Sequence, residues 1–387
     1  MNADIVVVGG GIVGASFALQ LAASDLQIMV VDRKPVADVA LDGDFDHRVY
    51  ALTPANLAML ERLNLFQPQD RARLTPIRAM EIFGDKQAQL RFSARDVNRN
   101  ELAVMIEHRL LARRVNDQLT AAANIQFLSD ANLKSIEPNV DSVSLTLDDG
   151  TNINAALVVG ADGAKSWVRE QCGFSTKEKD FAQVALVANF RCEKGHGQVA
   201  RQWFADGGVL AWLPLAENII SIVWSMPAAR ADELYNLPSD AFCRAVEVGG
   251  KHCLGVMQLV SPAARFPLVE LRNDKLISSR VALIGDAAHV IHPLAGQGLN
   301  LGLQDAAALA QVLSEKSVAQ GIGDVAVLRR FERSRKESLL TMRAATGGLH
   351  GLFALDSSIA AAIRNTGMSL VDKAPWLKQT LMRHAIG

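Results

Sequence analysis

Three glycines near the beginning of the chain constrain its fold more than any other feature of the sequence. They form the pattern Gly9-x-Gly11-x-x-Gly14, which follows the β-branched run 4–8 and precedes an apolar stretch that predicts a helix to about Ala23. In such a unit the first glycine permits the tight turn, the second lets the backbone approach a pyrophosphate, and the third lets helix and strand pack closely. The pattern therefore predicts a buried parallel strand and a helix whose first amides face a dinucleotide.

The second strand of this unit is predicted over 27–32 and ends in an acidic residue, Asp32. A carboxylate at this place accepts hydrogen bonds from ribose hydroxyls. Strand, turn, helix and acidic residue together favour a dinucleotide site over a simple glycine turn, but they do not distinguish NAD from FAD.

A second glycine motif begins at Gly285-Asp286 and continues to Gly302. It follows the buried-strand pattern of 281–286, so the Asp286 carboxylate should emerge at the carboxyl end of the sheet, where ligands bind in open α/β folds. The helix predicted from about 298 begins with free amides that can hold a negative charge. A ligand-free glycine corner is the weaker interpretation, because so many glycines cost stability unless a ligand offsets the cost.

Two histidines in this motif, His289 and His292, have the i, i+3 spacing of metal ligands on a helix. No third ligand lies nearby in the sequence and Pro293 favours a loop. We therefore expect no metal site here, and hydrogen bonds to the backbone or to a cofactor instead.

A third motif, Gly160-Ala-Asp162-Gly-Ala-Lys-Ser-x-Val-Arg169, also follows a predicted buried strand. Considered alone, it is equally well explained as a turn that caps a helix.

The size of the chain and its charge limit the remaining possibilities. A length of 387 residues predicts about two domains. Forty basic and 41 acidic residues give a net charge of −1, which argues against a nucleic-acid-binding surface. No apolar run approaches the roughly 20 residues of a membrane span, Asp4 replaces the basic start of a signal peptide, and the four cysteines form no CxxC pair. These features predict a cytoplasmic protein with reduced thiols.

The pattern of the middle of the chain differs from that of its ends. Helices are predicted over 54–63 and about 100–120, and Asp148-Asp149-Gly150 predicts a hairpin turn. Apolar and polar residues then alternate over 180–271, which is typical of an antiparallel sheet. We therefore predict a second domain at 176–274 that is inserted into a discontinuous first domain formed by 1–175 and 275–387.

The three motifs, which begin at Gly9, Gly160 and Gly285 in this order along the chain, resemble those of the single-component flavoprotein monooxygenases of the aromatic hydroxylase class. Within the class the chain is most similar to the ubiquinone-biosynthesis hydroxylases, over nearly its whole length. The stretches that carry the resemblance are Asp46-His-Arg48-Val-Tyr-Ala-Leu52, Gln202-Trp-Phe204, Ala211-Trp-Leu-Pro-Leu215, Ser221-Ile-Val-Trp224, Gly285-Asp-Ala-Ala-His289 and His292-Pro-Leu-Ala-Gly-Gln-Gly-Leu-Asn-Leu301. One departure is Asp32 where many relatives have Glu, and Asp still reaches a ribose.

The resemblance implies an α/β fold: a Rossmann-like FAD-binding domain of the aromatic hydroxylase type, an inserted antiparallel-sheet substrate domain, and C-terminal helices. It implies FAD as the cofactor and NAD(P)H as a transient co-substrate, since a second glycine fingerprint is absent from the sequence. The implied FAD-binding residues are Gly9, Gly11, Gly14, Asp32 and Arg33 for the ADP half, Arg48 and Asp286 for the pyrophosphate and ribityl part, Asp162 as support, and Gly296, Gly298, Leu299 and Asn300 at the ring. Without the resemblance, Arg48 would be read as an ordinary surface arginine.

The implied reaction is hydroxylation of the aromatic ring of a polyprenylated phenol or quinol precursor of ubiquinone, through a C4a-hydroperoxyflavin formed with NAD(P)H and O2. The implied catalytic residues are Pro293, Gln297 and His292. Trp203, Phe204, Trp212 and Trp224 are candidates for the pocket lining, although each is more simply explained as sheet core. With two tyrosines in the chain, we expect no tyrosine relay of the kind that some phenol hydroxylases use.

Other interpretations stay open at this point. The segment 370–387 mixes apolar and basic residues, and it could lie on a membrane or on another quinone-biosynthesis protein, or cap the first domain. The chain could also be a flavin-binding scaffold without activity, or a flavoenzyme acting on another aromatic substrate. The late Gly285-Asp286 motif speaks against a simple NAD-dependent dehydrogenase, and the WxWxIP motif of related halogenases is absent from the sequence.

Overall fold

The computed structural model describes residues 1–34, 41, 43, 45–84, 89–205, 207–291, 297–354 and 379, with the backbone alone at 338 and 341–354. The eight described strands of its first sheet are β1 (Asn2–Val8), β2 (Ile28–Val31), β8 (Ile125–Leu128), β9 (Leu133–Pro138), β10 (Val143–Leu147), β11 (Asn152–Gly160), β18 (Ile277–Ser278) and β19 (Val281–Leu283). The order along the main path of this sheet is β18-β19-β11-β1-β2-β8.

Three neighbouring strands of this sheet lead into the three glycine motifs. β1 pairs in parallel with β11, and β11 pairs in parallel with β19, so that Val8 lies opposite Gly160 and Gly160 opposite Leu283. Because parallel strands end at the same edge of a sheet, the turns at Gly9, Gly160 and Gly285 come together there. The β-branched, fully buried residues of these strands explain why they form the centre of the larger hydrophobic core.

Helices cover this sheet and bury its faces. They are α1 (Ile12–Gln20), α3 (His108–Ala121), α4 (Trp167–Gln171), α7 (Gly298–Ser314) and α8 (Val325–Ala354). α1 and α7 begin next to the glycine turns, and α1 packs on both α3 and α7. The predicted first helix is confirmed, although it ends at Gln20 rather than near Ala23.

A second sheet of nine described strands is mainly antiparallel, as the alternating pattern predicted. Its strands are β5 (Ala79–Phe83), β6 (Gln89–Ser93), β12 (Thr176–Cys192), β13 (Val199–Ala205), β14 (Gly208–Pro214), β15 (Ile219–Pro227), β16 (Met257–Leu259), β17 (Ala264–Asn273) and β20 (His289–Val290). β5, β6 and β20 come from outside 176–274, so the sheet extends beyond the boundaries predicted for the substrate domain. Those boundaries stay a prediction.

Two helices cover one face of the second sheet, α5 (Ala228–Tyr235) and α6 (Ser239–Gly249). They lie inside the stretch 180–271, where the alternating segments predicted an antiparallel sheet. α6 is amphipathic and buries Phe242, Cys243 and Val246 against the sheet. This is the helical period of three to four residues, which the alternation of the flanking strands concealed.

A small third sheet joins the other two. It contains β3 (Val49–Leu52), β4 (Thr75–Ile77) and β7 (Ala103–Glu107). The helix predicted over about 100–120 is wrong in its first part, because β7 pairs with both β3 and β4 before α3 begins at His108. The predicted helix 54–63 is confirmed as α2 (Pro54–Arg62), and the Asp148–Gly150 hairpin is confirmed between β10 and β11.

Candidate functional site

The first glycine motif is built so tightly that two of its positions exclude any side chain. Gly9 has a φ of +108°, and a Cβ placed there would lie 2.4 Å from the Ala161 carbonyl oxygen. A Cβ on Gly14 would lie 2.1 Å from the Gly9 carbonyl oxygen. Gly11 differs, because a Cβ there meets nothing within 4 Å. The turn therefore packs on the Gly160 motif and leaves open space in front of α1.

Asp32 fixes this turn from the end of β2. Its Oδ2 accepts a hydrogen bond from the Gly10 amide at 2.7 Å, and its Oδ1 accepts one from the Lys34 amide at 2.8 Å. The side chain stays partly exposed, so its oxygens can accept further bonds, while Arg33 is exposed beside it. Asp32 thus has a positioning role in the turn that the sequence did not reveal.

The Gly160 motif uses its acidic residue to begin a helix. Asp162 accepts hydrogen bonds from the Ser166 hydroxyl and from the Trp167 amide at the first residue of α4. Arg169, on the same helix, donates to the Ala164 carbonyl at 2.7 Å and to the Ala287 carbonyl at 3.2 Å. The interpretation of this motif as a helix cap therefore fits the role of Asp162. The hydrogen bond from Arg169 to the Ala287 carbonyl links this motif to the Gly285 motif.

The Gly285 motif presents its carboxylate at the edge where the three turns meet. Gly285 has a φ of +62°, which suits glycine, and the residues 285–287 form one turn of 3₁₀-helix. The Asp286 side chain reaches solvent, yet protein surrounds it so closely that burial raises the pKa of its carboxyl, although His289 and Arg48 act in the opposite direction. A solvent-accessible carboxylate in such surroundings is typical of a cleft wall.

α7 begins beside this turn, and its first residues have two different surroundings. A Cβ on Gly298 would meet nothing within 4 Å, so the helix start faces open space. Asn300 is buried instead, and its Oδ1 accepts hydrogen bonds from the Thr53 amide at 3.0 Å and from Asn56 Nδ2 at 2.8 Å. Its Nδ2 donates to the Ala51 carbonyl. The Asn300 side chain therefore fastens α7 to β3 and to the start of α2.

A tyrosine and a histidine that the sequence did not single out lie on the Arg48 side of this region. The Tyr50 hydroxyl lies 3.0 Å from His108 Nδ1, and the two rings meet edge to face. Burial raises the pKa of Tyr50 to about 12, and the negative charge of Asp286 adds to this rise. Burial also lowers the pKa of His108, and the neighbouring Arg48 lowers it further. Both groups are thus neutral near pH 7, and the tautomer of His108 decides which of them donates the hydrogen bond.

Several predicted site residues lie outside the described residues, namely His292, Pro293 and Gly296. Gln297 is the N-cap residue of α7. His289 is buried and bonded to Asp305, and among the described residues there is no group of three or more His, Cys, Asp or Glu side chains that could hold a metal.

The aromatic residues proposed for the pocket lie on opposite faces of the second sheet. Phe204 lies opposite Val209 and shares its face, whereas Trp212, three residues further along β14, points to the other face. There Trp212 packs so closely on the end of α6 that a Cβ on Gly250 would lie 1.9 Å from its ring, and Trp224 also lies on this face. The pocket role of Trp212 and Trp224 is therefore corrected to hydrophobic core.

The face that carries Phe204 also contacts the segment that precedes Arg48. Asn189 lies on it, and its Nδ2 donates to the carbonyl oxygens of Phe45 and Asp46, just before Arg48. Small apolar side chains line the same face, and Val187, Val223 and Ala211 lie side by side across three strands. This face has the character of an apolar wall.

Comparison with known proteins gives results over nearly the whole chain. Residues 2–343 match the family described as FAD binding domain. The chain is 31% identical to the ubiquinone hydroxylase UbiL of Rhodospirillum rubrum, with 100% of this chain and 90% of that protein covered. It is 30% identical to the 3-demethoxyubiquinol 3-hydroxylase of Escherichia coli, with 99% and 98% covered.

Solved structures agree with the fold. PqsL of Pseudomonas aeruginosa, a probable FAD-dependent monooxygenase, matches with a TM-score of 0.79 at 21% identity over 97% of this chain and all of that chain. HpxO of Klebsiella pneumoniae, solved with FAD and uric acid, matches with a TM-score of 0.76 at 18% identity over 99% and 97%. The predicted fold class, a Rossmann-like FAD-binding fold with an added antiparallel sheet and C-terminal helices, is confirmed.

Proposed function

Because this chain belongs to the FAD binding domain family, among the flavoprotein monooxygenases that include the ubiquinone hydroxylases, we propose that it is an FAD-dependent hydroxylase of the aromatic ring of a polyprenylated phenol or quinol precursor of ubiquinone, using NAD(P)H and O2. The observation that carries this proposal is its full-length similarity to two ubiquinone hydroxylases at 30% identity or more. The geometry of the site supplies independent support.

The residues present fit a flavin dinucleotide. Gly11 and Gly298 both face open space at the start of a helix, where the first amides have no partner within the helix. Such helix starts hold phosphate and other negative charge. Asp286, at the sheet edge where the glycine turns meet, is exposed and would accept hydrogen bonds from ribityl hydroxyls. Two open helix starts and an exposed carboxylate favour a bound ligand over a ligand-free glycine corner.

We assign the roles accordingly. The turn Gly9–Gly14 with Asp32 and Arg33 would hold the ADP half of FAD. Arg48 and Asp286 would hold the pyrophosphate and ribityl part, and the start of α7, with Gly298, Leu299 and the Asn300 amide, would face the ring. Asp162 would support the site by fixing α4. Gln297, His292, Pro293 and Gly296 keep their proposed places near the ring.

Bound FAD would supply electron transfer from NAD(P)H to O2 and the transfer of a hydroxyl group to the substrate. The chain itself has to position the groups and exclude water. The positive end of the α7 dipole would stabilise negative charge on the ring. The wall of Val187, Val223 and Ala211 would exclude water and receive an apolar substrate, with Phe204 at its side.

The finer parts of the proposal concern location and partners. An apolar polyprenyl substrate favours work at the cytoplasmic side of a membrane, with contact to lipid or to other quinone-biosynthesis proteins through 370–387. That segment lies outside the described residues except for Gln379. In the part of the chain that the structure describes, every helix is too short or too polar to span a membrane.

The direct test combines a binding measurement with a product assay. Apoprotein is titrated with FAD, and the loaded protein is then given NADH or NADPH and a short-chain prenylated quinol precursor under air. We expect a hydroxylated product and an Asp286→Ala variant that binds FAD at least about tenfold more weakly. Expression in strains that lack single ubiquinone hydroxylases then identifies the ring carbon.

The wall can be tested with a matched pair of variants. Val223→Trp should lower hydroxylation and leave FAD affinity unchanged, whereas Val256→Trp, at a valine that is 62% exposed, should change neither. A protein that binds FAD but yields no hydroxylated product and restores quinone in no strain would be the non-catalytic scaffold instead.

A further inference from the structure

The Asp305 side chain on α7 is completely buried, and its two oxygens have different partners. Oδ2 accepts hydrogen bonds from the Gly285 amide at 3.0 Å and from His289 Nε2 at 2.7 Å. Oδ1 accepts one from Arg335 Nε on α8 at 2.7 Å. Burial alone would raise the pKa of Asp305, but His289 and Arg335 outweigh it and lower the pKa, so that the carboxylate is charged.

These bonds lie at both ends of the turn that carries Asp286. The Gly285 amide precedes the turn and the His289 side chain follows it, so one oxygen of Asp305 bridges both. The backbone of α7 also lies directly against this turn, since a Cβ on Gly302 would be 3.1 Å from the Gly285 Cα. The backbone of α7 therefore restricts small movements of the turn.

We propose that Asp305 is a positioning residue for FAD, whose Oδ2 holds the Gly285–His289 turn so that Asp286 faces the cofactor, while the bond from Arg335 to Oδ1 fixes the orientation of the carboxylate. This inference rests on the proposed FAD site. It assigns a cofactor-related role to a residue that does not reach the open space itself.

The competing explanation is a purely structural one. Removing one partner of a buried ion pair leaves an uncompensated charge, and such a change destabilises any protein whatever its ligand. A single Asp305 variant would thus lose both stability and FAD affinity on either explanation. The two explanations are distinguished by a pair of variants that both lose the ion pair, one of which keeps the acceptor for the Gly285 amide while the other removes it.

Two double variants meet this requirement. Asp305→Asn with Arg335→Met removes both charges and keeps an oxygen that can accept from the Gly285 amide and His289. Asp305→Leu with Arg335→Met removes both charges and the acceptor. If only the ion pair matters, the two double variants should bind FAD alike, because a paired replacement by apolar groups of similar shape is tolerated.

We expect the asparagine variant to bind FAD within about threefold of the wild type, and the leucine variant to bind at least about tenfold more weakly, the loss expected for a buried charged acceptor. The measurement is titration of apoprotein with FAD, followed by the fluorescence and visible absorption of the flavin, with thermal unfolding of each apoprotein alongside. Equal affinities of the two variants would overturn the proposal.

The matched control is the second buried Asp–Arg pair of the described residues, in which Arg114 donates to both oxygens of Asp70 at 2.8 Å. Asp70→Leu with Arg114→Met should leave FAD affinity within about twofold of the wild type. If it weakens binding as much as the Asp305→Leu pair does, the effect is one of general stability and the proposal fails.

A second measurement needs no apolar variant. Amide hydrogen exchange should show the Gly285 amide protected in the wild-type apoprotein and in the Asp305→Asn, Arg335→Met variant. Rapid exchange of that amide in the wild type would refute the role of Oδ2 even if the leucine variant did not fold. Failure of wild-type apoprotein to bind FAD at all is a different outcome, since it would refute the proposed function and not the hydrogen bond.

Discussion

Adding one methyl group at Gly11 separates a ligand effect from a folding effect. Gly11 is exposed, has a φ of −65° and a ψ of 174°, and precedes α1 as its N-cap residue. Alanine adopts this conformation without strain, and its Cβ would meet no protein atom within 4 Å. Replacing glycine by alanine restricts the unfolded chain, which stabilises the folded protein by about 0.4–1 kcal/mol. Alanine is also less favourable than glycine at an N-cap position, which destabilises the start of α1.

The two effects on stability oppose each other, so the apoprotein should unfold with a free energy within about 0.5 kcal/mol of the wild type. FAD binding should respond differently. If the pyrophosphate lies against the first amides of α1, the new methyl occupies its place and weakens one or two charge-assisted hydrogen bonds, each worth about 1.5–3 kcal/mol. Gly11→Ala should therefore raise the Kd for FAD at least about tenfold.

The assay is titration of apoprotein by flavin fluorescence, with thermal unfolding as the measure of stability. Gly14→Ala is the contrasting variant, because its Cβ would lie 2.1 Å from the Gly9 carbonyl oxygen. It should lose stability, by about 1–3 kcal/mol as for other overpacked sites, together with FAD affinity. The reasoning is refuted if Gly11→Ala binds FAD as tightly as the wild type, since the open space would then have no pyrophosphate in it.

Two further predictions follow from the pKa values. The near-ultraviolet tyrosinate titration of the wild type minus that of Tyr50→Phe reports the ionisation of the Tyr50 hydroxyl alone. Because burial raises the pKa of Tyr50 to about 12, this difference should stay flat through the ordinary tyrosine pKa of about 10. A titration midpoint at the ordinary value would mean that Tyr50 is not buried. At Asp70, burial acts to raise the pKa but the hydrogen bonds from Arg114 outweigh it and lower the pKa, so this pair stabilises the fold above about pH 4 and loses its effect as the pH falls through the lowered value. Asp70→Asn should thus cost about 3 kcal/mol at neutral pH and less in acid, and a cost independent of pH in denaturant titrations would contradict the assignment.

The fold at the glycine motifs could be predicted because each motif follows a short β-branched strand. The runs before Gly9, Gly160 and Gly285 are apolar on both faces, which identifies central parallel strands without further information. Such strands must share an edge if they share a sheet, so the meeting of three turns was implied by the sequence.

Side-chain partners distant in the sequence were not predictable. Asn300 was expected to face the flavin ring, and its side chain instead bonds to Ala51, Thr53 and Asn56, about 250 residues away. Asp305 and Arg335 lie on helical patterns where an acidic or basic residue usually indicates a solvated face. Their burial depends on the packing of α7 against α8, and no local spacing reveals it.

The aromatic residues of the second sheet show where a period of two is informative and where it is not. Alternation correctly predicts that Trp212 and Val209 point to opposite faces of β14, but it does not say which face a helix covers. That choice depends on α5 and α6, whose helical period was missed, and large rings are the side chains a helix-covered face needs for its core. Val187, Val223 and Ala211 on the other face are small by comparison, because the tryptophan rings are packed on the helix-covered side of the sheet.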